Sequence, residues 1–273
     1  MNKIMVSVFP TETAAYAGLR ALKDLHETGE ITLFAQTVLV KNEQGIVSTR
    51  ESSDHGPVGS VVGIVGGALV GLLGGPAGVV VGAYVGGSAG LLFDLFNVGF
   101  GSDFVDEVAA EMKPGSVAIV ADIDESWITP IETEFAPLGA ITFRRNAGEA
   151  IDDRLNREVD EASAEFNQLK AELREANAEA RATVEQKLQA QAYKLDELGK
   201  KIEQRMSQLD TDLKSRLTTL RTQREKAVEA RKADIDARTA EIKASFEIRR
   251  QKLQHAHELS QQAHELRVEA LKP

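Results

Sequence analysis

The stretch GPVGSVVGIVGGALVGLLGGPAGVVVGAYVGGSAGLLF, residues 56–93, runs for thirty-eight residues without a Lys, Arg, Asp, Glu or His, and thirteen of those residues are glycine. Two registers run through it. Gly59, Gly63, Gly67, Gly71 and Gly75 recur every fourth residue, and after Pro76-Ala77 the series Gly78, Gly82, Gly86 and Gly90 does the same. On a helix this spacing stacks the glycines along one face, where a second helix can approach almost to backbone contact. The pattern predicts a double glycine zipper, with two apolar helical arms reversing at Gly74-Gly75-Pro76.

Each interior glycine costs a helix in water about 1 kcal/mol relative to alanine, so neither arm is expected to be helical alone. Lipid, the other arm or another copy of the chain can supply the missing packing. An arm of about 16 to 19 residues, rising about 1.5 Å per residue, sits at the short limit for a hydrocarbon core of about 30 Å. No Lys or Arg occurs between Arg50 and Lys113, while Asp54 and Asp94 bracket the run, so the positive flank usual for a cytoplasmic membrane boundary is missing. Two placements follow: insertion in the lipid bilayer, and burial inside a soluble oligomer. A phosphate-cradling glycine loop is not expected, because the repeat contains no Lys and its regularity suits packing, not one tight turn.

The rest of the 273 residues divide by charge. Residues 1–150 carry 18 acidic and 8 basic side chains, whereas residues 151–273 carry 24 of each. Neither an acidic head nor a neutral, mixed-sign tail recruits nucleic acid, so no nucleic-acid partner is expected. With no cysteine, disulfides and thiolate chemistry are excluded, and an intracellular site is the default. The apolar run Ile4 to Phe9 is too short for a signal-peptide core and reads as a strand.

A helix over Thr11 to Thr28 follows, with Ala15, Leu19, Leu22 and Leu25 on one face and Gly29 as its stop. Ile31 to Val40 is rich in β-formers and turns at Asn42-Glu43-Gln44-Gly45 into a short partner, Ile46 to Thr49. After the zipper, the spacing predicts a helix over Asp103 to Met112, a strand over Val117 to Ala121, a short helix over Ser126 to Phe135 and a strand over Ala140 to Arg144. The expected fold is α+β: a ferredoxin-like head with an inserted glycine-zipper helical hairpin, then a long coiled-coil tail. The corresponding divisions are residues 1–55, 56–98, 99–146 and 147–273.

The opening strand-helix-strand, the glycine-every-four hairpin, and the stretch from Asp103-Phe104-Val105 through Met112-Lys113-Pro114-Gly115-Ser116-Val117-Ala118-Ile119-Val120 resemble the bacterial domain-of-unknown-function 1269 family. The resemblance covers about residues 1 to 146. It implies a glycine-rich membrane protein and brings with it no activity. The long tail departs from the family pattern.

From the capping-box signal Asn146-x-x-Glu149 to Lys272 there is no proline, and one long helix is expected. Leu155, Val159, Ala162, Phe166, Leu169, Leu173, Ala176 and Ala180 alternate spacings of four and three, and Leu195, Leu198, Ile202, Leu209, Leu213 and Leu220 largely resume them, with a register slip near residues 183–191. Beyond Leu220 the seam thins to Val228, Ile235, Ile242, Phe246 and Leu253, with Arg and Lys often at the intervening core positions. Self-association of this seam is the first expectation; a lone helix held by opposite-charge pairs, or one packed on something else, is the alternative. A continuous helix would reach on the order of 180 Å at 1.5 Å per residue.

Candidate chemistry is sparse. Asp122, Asp124 and Glu125 cluster after a strand, where oxygen ligands for Mg²⁺ or Ca²⁺ can gather, but the preferred assignment starts the next helix at Asp124, with the others favouring its N-terminus. Asp54-His55 offers a proton-relay pair with no nucleophile or ligand set nearby. His255, His257 and His264 lack the four-residue spacing with which a helix grips one metal ion, and are assigned to a solvated face. Trp127 is expected to pack on the short helix, and no Ser-His-carboxylate triad presents itself. No cofactor or metal is implied.

Two association devices and no catalytic constellation predict a non-enzymatic, self-assembling scaffold, held at the cytoplasmic membrane by its hairpin, with head and tail in the cytoplasm. The alternatives are a soluble cytoplasmic homo-oligomer or filament with the hairpin as its dry core, and a regulator that binds a ligand on its ferredoxin-like sheet.

Overall fold

A computed structural model describes residues 2–54, 69–70 and 101–270. Five strands, β1 (Asn2–Phe9), β2 (Ile31–Lys41), β3 (Val47–Asp54), β4 (Val117–Glu125) and β5 (Ile141–Arg145), form one sheet in the order β3-β2-β4-β1-β5. Every described pairing is antiparallel. The interior strands β1 and β4 read as near-continuous apolar runs because both faces of the sheet are covered. The strands foreseen in the sequence are all present, and β3 and β4 run longer than expected.

Helix α1 (Glu12–Glu27) starts where the Thr11 hydroxyl accepts the Ala14 N–H at 3.2 Å, and it ends at Gly29, whose φ of 79° belongs to the left-handed region that favours glycine. With α3 (Thr129–Phe135) it covers one face of the sheet, burying Leu19, Leu22, Ile131 and Phe135 against Met5, Phe9, Val38 and Ile119. Phe9 and Phe135 meet edge to face at 5.1 Å. Gly18 is what lets them do so, since a Cβ there would lie 2.5 Å from Phe9 Cζ.

The opposite face carries α2 (Gly101–Glu111), which buries Phe104 and Val108 beside Ile4, Val6, Leu39 and Val120. Leu69 and Val70, from the glycine-rich stretch, are helical and belong to this same core, with exposures of 0% and 3%. All nine zipper glycines lie outside the described residues, as does His55.

The tail is three helices, not one rod: α4 (Ala147–Glu175), α5 (Ala178–Lys226) and α6 (Glu229–Ala270). The first break falls at Asn177, whose side chain accepts the Ala180 N–H at 3.0 Å and so begins a new helix. The second, at Ala227-Val228, contains neither proline nor glycine. Residues 183–191, where the heptad register slips, lie within α5.

The chain divides into two compact units, Met1–Ala150 with Thr211–Ala244, and Ile151–Asp210 with Ser245–Pro273. In the second unit the helices pack together around Val159, Phe166, Leu195, Ile202, Leu209 and Leu253. Asp152 joins all three, accepting from Arg205 Nε at 2.8 Å and Arg249 Nε at 2.5 Å, while Gln191 donates to the Ala162 carbonyl at 3.0 Å. At Gly199 an added Cβ would stand 2.8 Å from Ser260 Oγ, so glycine permits the α5–α6 approach there. Of the seam residues foreseen, Phe166, Leu169, Leu195, Ile202 and Leu209 are buried within the chain, and Leu155, Leu173 and Leu213 are half-buried.

Candidate functional site

Within the first unit, the described polar groups converge where residues 211–244 meet the end of the sheet. Three tail side chains do most of the joining: Arg216, Gln223 and Arg238, all buried. Their partners are supplied by β4, β2 and the turn between α1 and β2. A β-bulge at Phe34 shifts the register of β2 against β4 between Leu33 and Ala35. The Arg216 guanidinium lies 4.5 Å from the Phe34 ring centroid.

Arg216 makes a fork with Asp122, Nη1 to Oδ1 at 3.2 Å and Nη2 to Oδ2 at 2.5 Å, and its Nε donates to Asp212 Oδ1 at 2.9 Å. Burial pushes the Asp122 carboxyl up from its ordinary value, against the pull of Arg216. Burial also opposes the charge on Arg216, but Asp122 and Asp212 outweigh it, so the guanidinium is held more firmly protonated than usual.

Gln223 is used at both ends of its amide. Nε2 donates to the carbonyls of His26 at 2.7 Å and Ile31 at 2.6 Å, and Oε1 accepts from Thr32 Oγ1 at 2.8 Å. Arg238 donates to Thr32 Oγ1 at 3.0 Å and to the Gly29 carbonyl at 2.6 Å, with burial pulling its pKa down. Arg231 pairs with Glu30 in the same turn. Carbonyls at the end of α1, in the turn and at the first residue of β2 thereby accept hydrogen bonds from the tail. The arrangement is a polar clasp that fixes one segment of the chain on another.

The acidic residues singled out in the sequence are placed differently from expectation. Asp122, Asp124 and Glu125 end β4, and α3 begins only at Thr129, so Asp124 does not start a helix. β4 continues because each of its last residues pairs with β2 or β1. Glu125 accepts from Lys3 at 3.2 Å and Arg144 at 2.8 Å. Trp127, expected to pack, is 67% exposed, because it precedes the helix instead of lying on its inner face.

His257 stands 3.5 Å from Glu203, and among the described residues no group of His, Asp and Glu is placed to hold a metal ion. The clasp was the feature that sequence reasoning missed. Its signal was present: Leu209, Leu213, Arg216, Leu220 and Gln223 keep the four-three spacing, as do Ile235, Arg238 and Ile242. Polar residues at those positions mark partners elsewhere, not a dilution of the seam.

Residues 60–160 of the chain match the family model described as protein of unknown function, DUF1269. No curated protein and no solved structure matches the chain.

Proposed function

We propose that this DUF1269-matching chain is a non-enzymatic, self-associating scaffold whose glycine-rich stretch packs against protein, on its own sheet and on further copies of itself. The observation that carries this reading is the burial of Leu69 and Val70 in the core beside Ile4, Val6 and Phe104. Two residues of the first glycine arm thus have protein neighbours of the kind that glycine-rich helices need. The acidic side chains that were candidates for chemistry support the same reading, since Asp122 and Glu125 are engaged in ion pairs that hold the fold.

The strand order β5-β1-β4-β2, with β3 as an added edge strand, supports a ferredoxin-like description of the head. The glycine stretch is then an insertion between β3 and α2. In the tail, the four-three seam of the second unit supports a coiled-coil type of packing.

A second reading keeps the scaffold and places it at the cytoplasmic membrane through the hairpin. The charge-free composition of residues 56–93 favours it. Among the described residues, no helix is long and apolar enough to cross a membrane. Gentle detergent-free lysis at native expression, followed by separation of membranes and native mass measurement of both fractions, distinguishes the two. A soluble homo-oligomer is the expected result. Recovery in the membrane fraction moves the assembly to lipid, and a monomer in either fraction overturns the scaffold reading.

A further inference from the structure

Trp127 is the only tryptophan of the chain, and it stands 67% exposed in the turn between β4 and α3. Ile128 beside it is 49% exposed, so two large apolar side chains face solvent together. Trp127 also walls an open, shallow recess of about 490 Å³, with Leu25 from α1, Glu30 from the turn that follows it, and Pro130 and Glu134 from α3. Among the described residues that line this recess there is no Lys, Arg or His. Glu30 is already paired with Arg231, whereas Glu134 is exposed and has no ion-pair partner among the described residues. The recess therefore combines an open indole face, an available carboxylate and apolar flanks.

That combination selects a cation, and a planar one. A guanidinium stacks on an aromatic face and forks onto a carboxylate, whereas an ammonium acts as a point charge. The chain uses the same pairing twice within its own fold. Arg216 lies 4.5 Å from the Phe34 ring centroid while holding Asp122, and Arg145 lies 5.1 Å from that of Phe104 while reaching Glu107 at 3.3 Å. At Trp127 the ring and the carboxylate are present and the arginine is not. Residues 55–100 contain no Lys or Arg and cannot supply it, and a second copy of the head, with 18 acidic and 8 basic side chains in residues 1–150, brings mostly like charge. Tryptophan and arginine are both enriched among the residues that anchor protein interfaces.

We propose that this recess docks an arginine of a partner protein, with its guanidinium stacked on Trp127 and paired with Glu134, and the aliphatic residues beside it resting on Leu25, Pro130 and Ile128. The proposal stands independently of the scaffold reading, since neither oligomer nor membrane enters it.

Because Trp127 is the chain's single indole, its fluorescence reports on this recess alone. The full chain is titrated at physiological salt with a capped pentapeptide that carries arginine between two leucines and terminal glycines. Peptides with citrulline, which keeps the shape without the charge, and with lysine at the central position are separate arms. A saturable change in emission is expected with the arginine peptide, about fivefold or more tighter than with the citrulline peptide. The lysine peptide should fall between the two. Glu134→Gln is expected to bring the arginine peptide down to the citrulline level and to leave the citrulline peptide unchanged, while Trp127→Leu, followed by calorimetry, weakens both. Each substitution is at an exposed position, so the melting temperature should stay at its wild-type value. No saturation by the arginine peptide, citrulline or lysine binding as tightly as arginine, or wild-type affinity in either variant would each overturn the proposal. So would a concentration-dependent emission change in the chain alone that Glu134→Gln removes, since that places a second copy in the recess.

Discussion

Arg216 is a charged side chain at a seam position with 3% of its surface exposed, and it is tolerated there because Asp122 and Asp212 occupy its donors. Removing one member of such a pair strands the other. Arg216→Met is therefore expected to cost about 3–5 kcal/mol in urea unfolding, whereas Arg216→Met combined with Asp122→Leu should return to wild-type stability or exceed it by about 1–4 kcal/mol. Equal losses in the single and double variants would show that the pair is not what holds the segment. The same comparison has a pH signature. Burial holds the Asp122 pKa above its ordinary 3.8, so the folded chain keeps that proton to a higher pH than the unfolded chain does. Its contribution favours folding below 3.8 and is lost as the pH rises through the raised value. Wild-type stability relative to the double variant should accordingly fall as the pH climbs above about 3.8, and a pH-independent difference would contradict the assignment.

At the scale of the element, α1 and the α5–α6 turn show packing overriding local preference. Gly18 sits inside a helix, where alanine would gain about 1 kcal/mol of propensity, yet its missing Cβ makes room for the Phe9 ring. Overpacking a core typically costs about 1–3 kcal/mol, and Phe9 is pinned by Phe135. Gly18→Ala should thus destabilise the chain by about 1 kcal/mol net, read as a lowered melting temperature; a rise would mean that Phe9 relaxes freely. At residues 227–228 the chain turns without a breaker residue, and what holds the turn lies on its flanks. Arg224 forks onto Asp236 at 2.5 and 3.0 Å across it, and Gln223 and Arg238 grip the α1–β2 turn. Asn177 is the opposite case, a break whose cap was legible as a residue type but was outweighed by the helical pattern around it.

For the whole molecule, the glycine repeat decides whether association rests on close packing or on apolarity alone. Replacing Gly63, Gly67, Gly82 and Gly86 by leucine raises both hydrophobicity and helix propensity, yet fills the groove that lets helices approach. The variant is expected to lose the native oligomer, measured by light scattering or native mass, while any membrane association is kept or strengthened. Unchanged oligomer size would remove the glycines from the assembly surface. Folding the tail back also changes what its seam is for. Phe166, Leu195 and Ile202, which on a single rod would face another chain, are already buried within this one. Self-association through the tail would therefore have to use the outer faces of α4, α5 and α6.

The elements of the head follow from the sequence because their causes are local. Alternating or continuous apolar runs, the Thr11 cap, the stop at Gly29 and the Pro114-Gly115 turn each act within a few residues, so β1, α1, β2 and β4 could be placed from them. The seam residues Phe166, Leu195 and Ile202 were legible for the same reason, since a four-three spacing lines side chains along one face of a helix. Which surface receives them is a different matter. A heptad does not say whether its partner is another copy or its own neighbour, and the three-helix unit is decided by where the chain breaks. Arg216, Gln223 and Arg238 looked like flaws in a seam until Asp122, Thr32 and the carbonyls of His26, Gly29 and Ile31 were seen opposite them. Those partners lie about 90 to 210 residues away in the chain. Only the tertiary fold brings them within hydrogen-bond reach, and a buried polar group is defined by its partners, not by its own side chain.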